Sequence, residues 1–303
     1  MDEILAKTHY RKTFFLSVTT IILLTLLIRK YVIPELDGSL DITYTTLLAS
    51  LLDNLIISLF LAVAIGCFLF WLQPEIIRRS VIQVVEPKQI NPLLKSATDS
   101  SCFWIYKGTC GRYTRATTIP RFAEAARNAG IGRDIRIFLL DPNDTGLCEE
   151  YATYRRSLKS ARTGVPWTAT SVQEEIIATA LTALKFSQSE PLLRIELYFV
   201  NNFSAFRLDI SDVYAIITKE DKEASALRAD AGSYFYDSYK DDVRLTERQA
   251  RRMVLPAIMP DEINSATAIP LIIESQIANS AAISLLNAQH IVDKVNNPTD
   301  PYR

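Results

Sequence analysis

Three polar clusters in this 303-residue chain carry residue types that can do chemistry. The first runs from Lys107 to Arg115 and holds Lys107, Arg112, Tyr113 and Arg115 among small and hydroxyl residues. Cations, hydroxyls and a stacking ring are what a phosphate with an attached base requires. The second joins Asp141, Asn143 and Asp144 to Tyr151, Tyr154, Arg155 and Arg156 one helix later. There Asp141, Asn143 and Arg155 are candidates to bond a ribose or a phosphate. The third is Arg207-Leu208-Asp209-Ile210-Ser211-Asp212, in which strand alternation puts Arg207, Asp209 and Ser211 on one face. That face can point into a pocket. A solvated loop, a turn with an amphipathic helix, and a half-exposed strand face with an ion pair account for the same residues without a ligand.

Other chemistries lack their residues. The chain has two histidines, His9 and His290, which argues against a histidine-rich metal site and against a Ser-His-Asp or Cys-His arrangement. Cys102 and Cys110 stand eight apart, without a CxxC pair. No Walker loop or GxGxxG occurs, and Gly108-Thr109-Cys110-Gly111 reads as two glycines in a turn. No catalytic residue, metal or cofactor is therefore assigned. A net charge of −1 argues against a strong general grip on nucleic acid, though not against a local basic patch.

The elements that must position these clusters follow from pattern. Cys102 to Tyr106 predicts an aromatic-rich strand, and Thr118 to Asn128 an amphipathic helix with Pro120 in its first turn. Ile135 to Leu140 predicts a buried strand closed by a turn at Asp141, and Leu147 to Leu158 a helix. Ser171 to Glu174 reads as a capping box opening a helix to about Phe186. Strands follow over Leu193 to Val200 and within Phe206 to Thr218, then a helix from Tyr234 to Asp242. Thr246 to Gln249 reads as a second capping box, and Leu271 to Val295 as one apolar-rich helix. The order predicts an α/β or α+β domain with a mixed sheet, whose ligands would sit beyond the carboxyl ends of its strands.

Two apolar runs precede that domain. Thr13 to Ile28 has no charge, and continued to Ile33 it measures about 31 Å at 1.5 Å per residue, close to the roughly 30 Å core of a bilayer. Leu55 to Leu72 is a second uncharged run that extends back through Leu47. A transmembrane hairpin over 13–72 (spans 13–33 and 47–72) is expected, with a lead-in over 1–12, a connector over 73–95, a domain over 96–255 and a helical tail over 256–303. Basic residues on both flanks favour both termini in the cytoplasm, and three cysteines outside the spans fit a reducing compartment. Asp53 and Asn54 mark either the outer interface or a contact between copies of the hairpin. On the second reading, replacing both by Leu leaves insertion intact.

From Trp104 to Arg244 the chain resembles the phospholipase-D-like superfamily. The matching stretches are Trp104 to Gly108 (W-x-Y-K-G), Leu140 to Pro142, Tyr151 to Arg155, and Phe206 to Asp212 (F-R-x-D-I-S-D). Active members carry H-x-K-x4-D, whose histidine is the nucleophile. No histidine lies between Lys95 and Gln289, and the residues after His290 do not match. The resemblance thus implies a binding version of a phosphodiester-handling scaffold. The layout is also similar to the membrane effectors of bacterial anti-phage systems of the retron and cyclic-oligonucleotide types. That implies a bilayer-embedded homo-oligomer in the inner membrane whose cytosolic domain senses a nucleotide second messenger or a reverse transcriptase–nucleic acid complex. A membrane-tethered phosphodiesterase and a non-catalytic anchor or assembly factor are the alternatives.

Overall fold

The computed structural model describes residues 8–36, 42–72, 81–159, 166–221, 223–284 and 286–302. It divides into two units, Met1–Arg78 and Arg79–Arg303. Residues 1–7 of the expected lead-in, 37–41 of the polar turn and 73–80 of the connector lie outside the described residues.

The first unit is helical. Helix α1 (Thr8–Leu27) runs on through a wide turn (Ile28–Val32), in which the N–H of Ile33 reaches back to the carbonyl of Ile28, into a short α2 (Ile33–Leu36). Helix α3 spans Ile42–Leu72. Two segments, Leu16–Glu35 and Tyr44–Phe68, are long and apolar enough to cross a membrane. Leu16, Leu51 and Phe60 stand more than 60% exposed, an outward apolar surface that a soluble core helix would bury. Thr20 and Thr25 donate to the carbonyls of Leu16 and Ile21, one turn back on their own helix, and not across helices. Asp53 also finds its partner within the unit, where Arg29 Nη2 donates to Asp53 Oδ2 at 2.7 Å. Asn54 is exposed.

The second unit is a mixed α/β domain around an eight-stranded sheet, in the order β1-β7-β6-β5-β2-β3-β4-β8. Its strands are β1 (Gln83–Val85), β2 (Phe103–Lys107), β3 (Arg133–Leu140), β4 (Leu193–Val200), β5 (Phe206–Ser211), β6 (Tyr214–Lys219), β7 (Ala226–Asp230) and β8 (Arg251–Arg252). Strands β2, β3 and β4 are parallel, with Trp104 opposite Ile135 and Ile137 opposite Leu197. Ile135, Ile137, Phe138, Leu139 and Leu140 are wholly buried, as an apolar run at the centre of a covered sheet must be. Strand β5 runs antiparallel to β2, with Tyr106 opposite Asp209, and β6 antiparallel to β5, with Phe206 opposite Lys219. The end of β2, the start of β5 and the end of β6 therefore meet at one edge.

Helices fill the intervals: α4 (Pro87–Ser100), α5 (Ile119–Ala129), α6 (Thr145–Ser157), α7 (Ala169–Ser189) and α8 (Tyr234–Gln249). A wide turn (Thr114–Thr118) leads into α5. Helix α7 is buried nearly all round between Val172 and Leu184, the pattern of a core helix. Its capping box is Thr168 with Ser171, three residues before the expected one, and Glu174 instead pairs with Lys294 at 2.7 Å. The second expected box fails likewise. Thr246 lies in the last turn of α8, bonded to the Asp242 carbonyl, and Ser233 caps that helix.

Three further elements depart from expectation. The connector supplies β1, paired with β7, and most of α4, whose Ile90, Leu94 and Ala97 are buried in the core. The single helix expected over 271–295 is α9 (Ser265–Glu274), α10 (Ser280–Ile283) and α11 (Ala288–Asn296). Gln276, at φ 53°, breaks the run, and Asn279 and Asn287 cap the helices that follow. The tail is thus part of the domain, since α11 buries Ile291, Val292 and Val295.

Candidate functional site

At the carboxyl end of β2 the chain must turn sharply. The Tyr106 ring folds back over Gly108, where a Cβ would collide with the hydroxyl and stand 2.6 Å from Cζ. Tyr106 Oη accepts from the Gly111 N–H at 3.1 Å. Gly111 is left-handed at φ 69°, and a Cβ there would lie 2.8 Å from Thr179 Cγ2. Both glycines are thus dictated by packing, and together they deliver Arg112 and Tyr113 to the meeting edge of β2, β5 and β6.

That edge holds a cavity of about 380 Å³, within the usual range for small-ligand sites. Arg112 and Arg155 each lie over the Trp167 ring, 5.6 and 5.2 Å from its centroid. Arg155 donates to the Glu220 carbonyl and sits 3.7 Å from its carboxylate. That carboxylate also accepts from Thr109 Oγ1 at 2.8 Å and Tyr151 Oη at 3.2 Å. Glu220 is therefore fully engaged by the protein.

Arg207 is the buried cation of the site, its side chain only 9% exposed. Its Nε donates to Asp209 Oδ2 at 2.5 Å, and its guanidinium lies 5.4 and 5.1 Å from the Tyr106 and Tyr113 ring centres. Arg207 Nη2 is buried without a hydrogen-bond partner among the described residues. Burial pushes the Asp209 carboxyl up against the pull of Arg207. Arg112 Nε is buried without a hydrogen-bond partner among the described residues, and besides the Trp167 ring Arg112 meets Glu175 at 3.9 Å. Lys219 is exposed at the rim.

The aromatic lining offers rings and not hydroxyls. Tyr113 Oη donates to Asn91 Oδ1 at 3.0 Å, Tyr151 Oη to Glu220, and Tyr106 Oη is held by Gly111. Burial raises all three phenols, so they stay neutral. Burial likewise raises the Cys110 thiol, which removes it as a nucleophile at neutral pH. The arrangement can bind an anion beside a planar group. Among the described residues, no cluster suited to a metal ion occurs.

Of the residues singled out by sequence, Arg112, Tyr113, Tyr151, Arg155 and Arg207 line the cavity, with Asp209 bonded to Arg207. The others go elsewhere. Arg115 turns inward, 2% exposed, and donates to Glu175 Oε2 at 2.6 Å. Lys107 Nζ donates to Asp242 and Thr246 on α8. Asp141 binds Arg251 and, with its own Asn143, closes the turn after β3, so neither reaches the cavity. Sequence reasoning missed Trp167, Lys219, Glu220 and the segment Thr299–Tyr302. Lys219 and Glu220 follow once the β5–β6 register is drawn, because Lys219 sits opposite Phe206 beside Arg207.

No family model matches the chain, and no curated protein does. Two solved structures are similar at a low level. One is TrmBL2, an archaeal chromatin protein described with a novel mode of DNA binding, at 10% identity and TM-score 0.35 over 69% of this chain and 66% of that one. The chain thus spans about two thirds of that protein's length. The other is Nuc, a phospholipase D family member from Salmonella typhimurium, at 15% identity and TM-score 0.31 over 57% of this chain and 97% of that one.

Proposed function

We propose that this protein is a membrane-anchored, non-catalytic sensor whose cytosolic domain binds a phosphate-bearing nucleotide ligand in the cavity at the end of β2. The observation that carries the reading is the buried Nη2 of Arg207, without a hydrogen-bond partner among the described residues, in an aromatic cavity. A buried cation with an unfilled donor is costly unless an anion completes it. Arg112 and Lys219 add positive charge, and the tyrosine rings offer stacking surface that tolerates any base. On this reading the two apolar helices, with basic residues on both flanks, anchor the domain at the cytoplasmic face of the inner membrane. In the setting of anti-phage defence, ligand binding would trigger assembly of the hairpins and loss of membrane integrity.

The test uses the full chain in detergent, titrated with adenosine 5′-monophosphate and with glycerol 3-phosphate while Trp167 fluorescence is followed. Nucleotide should bind, and glycerol 3-phosphate more weakly, since it brings the phosphate without a stacking ring. Arg112→Gln should weaken nucleotide binding by roughly 10- to 100-fold, the loss of a charged hydrogen bond of about 1.5–3 kcal/mol. Equal affinity in wild type and Arg112→Gln would sink the reading. Equal binding of the two phosphates would assign the site to lipid headgroups or phosphate alone.

A further inference from the structure

One segment in the cavity is held differently from the walls. After α11, which is fixed by the Lys294–Glu174 pair at 2.7 Å and by its buried apolar residues, the chain leaves regular structure and crosses into the cavity as Thr299–Tyr302. Among the described residues, a hydrogen bond and a ring contact hold it there, and Tyr302 packs against the edge of the core. Thr117 Oγ1 donates to Asp300 Oδ2 at 3.2 Å, and the Tyr302 ring meets Tyr113 edge-on at 5.2 Å. The segment is otherwise closed on itself, with the Tyr302 N–H donating to Asp300 Oδ1 at 2.8 Å. Tyr302 lies near enough to feel the field of Arg207, which pulls its phenol down while burial raises it further. Yet among the described residues Arg207 Nη2 still has no acceptor. The segment covers the buried cation without satisfying it.

We infer that residues 299–302 are a tethered stand-in for the ligand, the Asp300 carboxylate and the Tyr302 ring holding the places of its anion and its planar group. This inference rests on the anion-binding reading above and adds its regulation. The ligand enters by displacing the segment, and the segment sets the threshold at which the site fills. A carboxylate and a ring joined by a short backbone also describe the ligand class: a phosphate joined through a small linker to one planar group, as in a mononucleotide. Because Thr117 belongs to the wide turn that opens α5, displacement also releases a contact on that turn.

The experiment compares the full chain with Tyr302→Ala, with Asp300→Asn and with a chain ended after Asn297, all in detergent, using adenosine 5′-monophosphate as the probe. Affinity should rise at least fivefold in the shortened chain and in Tyr302→Ala. Unchanged or weaker binding in both would overturn the inference and make the segment part of the wall. Hydrogen exchange on the unaltered chain gives an answer that does not depend on a variant folding. Nucleotide should speed exchange at the Tyr302 N–H by tenfold or more, and protection there would equally overturn it. If the full chain binds nucleotide in an Arg112-dependent way and shortening has no effect, only the stand-in fails. If neither form binds, the anion site itself fails, and the stand-in with it.

Discussion

Glu175 shows how a single carboxylate decides what the neighbouring arginines can do. It accepts from Arg115 Nη2 at 2.6 Å and faces Arg112 Nε at 3.9 Å and Lys294 Nζ at 3.8 Å. Burial pushes this carboxyl up, but the three cations outweigh burial and hold it below its ordinary 4.5. A depressed carboxyl gives stability that is complete above the unfolded value and is lost as pH falls through the folded one. Glu175→Gln should therefore cost about 3–5 kcal/mol at neutral pH, because the buried Arg115 loses its counter-charge and keeps only its bonds to the carbonyl of residue 175 and to Thr179. The difference in Tm between wild type and variant should shrink as pH falls below 4.5; a gap that stays constant to pH 3 would contradict the assignment. Gly108→Ala tests the other side of the site. Displacing Tyr106 should lower nucleotide affinity at least fivefold, while Gly132→Ala, with nothing nearer than 3.9 Å, should change little. Arg112 and Arg115 looked alike in sequence, as two cations in one loop. What separates them is Glu175, on a helix 60 residues further along, and no local pattern encodes that.

At the scale of elements, what was legible is what has a long period. Strands β3 and β4 stand out as apolar runs because each is buried over most of its length, and a cavity beyond the end of β2 agrees with what parallel topology alone suggests. Strands β1 and β8 have three and two residues, too few to show alternation. The helices of the tail were read as one because apolar content continues across Gln276, whose left-handed backbone no composition announces. The hairpin also changes an expectation. With Asp53 bonded to Arg29 in the wide turn of the same unit, Asp53→Leu leaves a cation without its anion inside an apolar segment. On insertion scales such a charge costs about 2.5–3.5 kcal/mol at a span's centre and less towards its end, where Arg29 lies in the segment Leu16–Glu35. Asp53→Leu alone should lower the amount of chain recovered in membranes, and Arg29→Leu with Asp53→Leu should restore it. Recovery that is equal in the single and double variants would show that the pair contributes nothing to insertion.

For the whole molecule, sequence conveyed the class of each unit but misplaced the border between them. The fold class followed from element order and the hairpin from hydropathy. The connector was misread because β1 and α4 belong to the sheet domain only through partners far along the chain, Val85 opposite Ala226 and the core around Leu94. The border at Arg79 makes a sharp prediction. A fragment beginning at Arg79 should be soluble, monomeric and cooperative in melting, since it holds the whole sheet and its buried core. A fragment beginning at Pro87 keeps every helix of the domain yet strips β1 from the edge of the sheet. It loses the buried Val85, worth about 1.5–3 kcal/mol, and bares the backbone of β7 to other chains. Its Tm should fall by about 3–12 °C, at roughly 2–4 °C per kcal/mol for a domain of this size. It should also elute as higher oligomers in size exclusion. If the two fragments melt together and both remain monomeric, β1 is an ornament of the edge and the domain proper starts at α4.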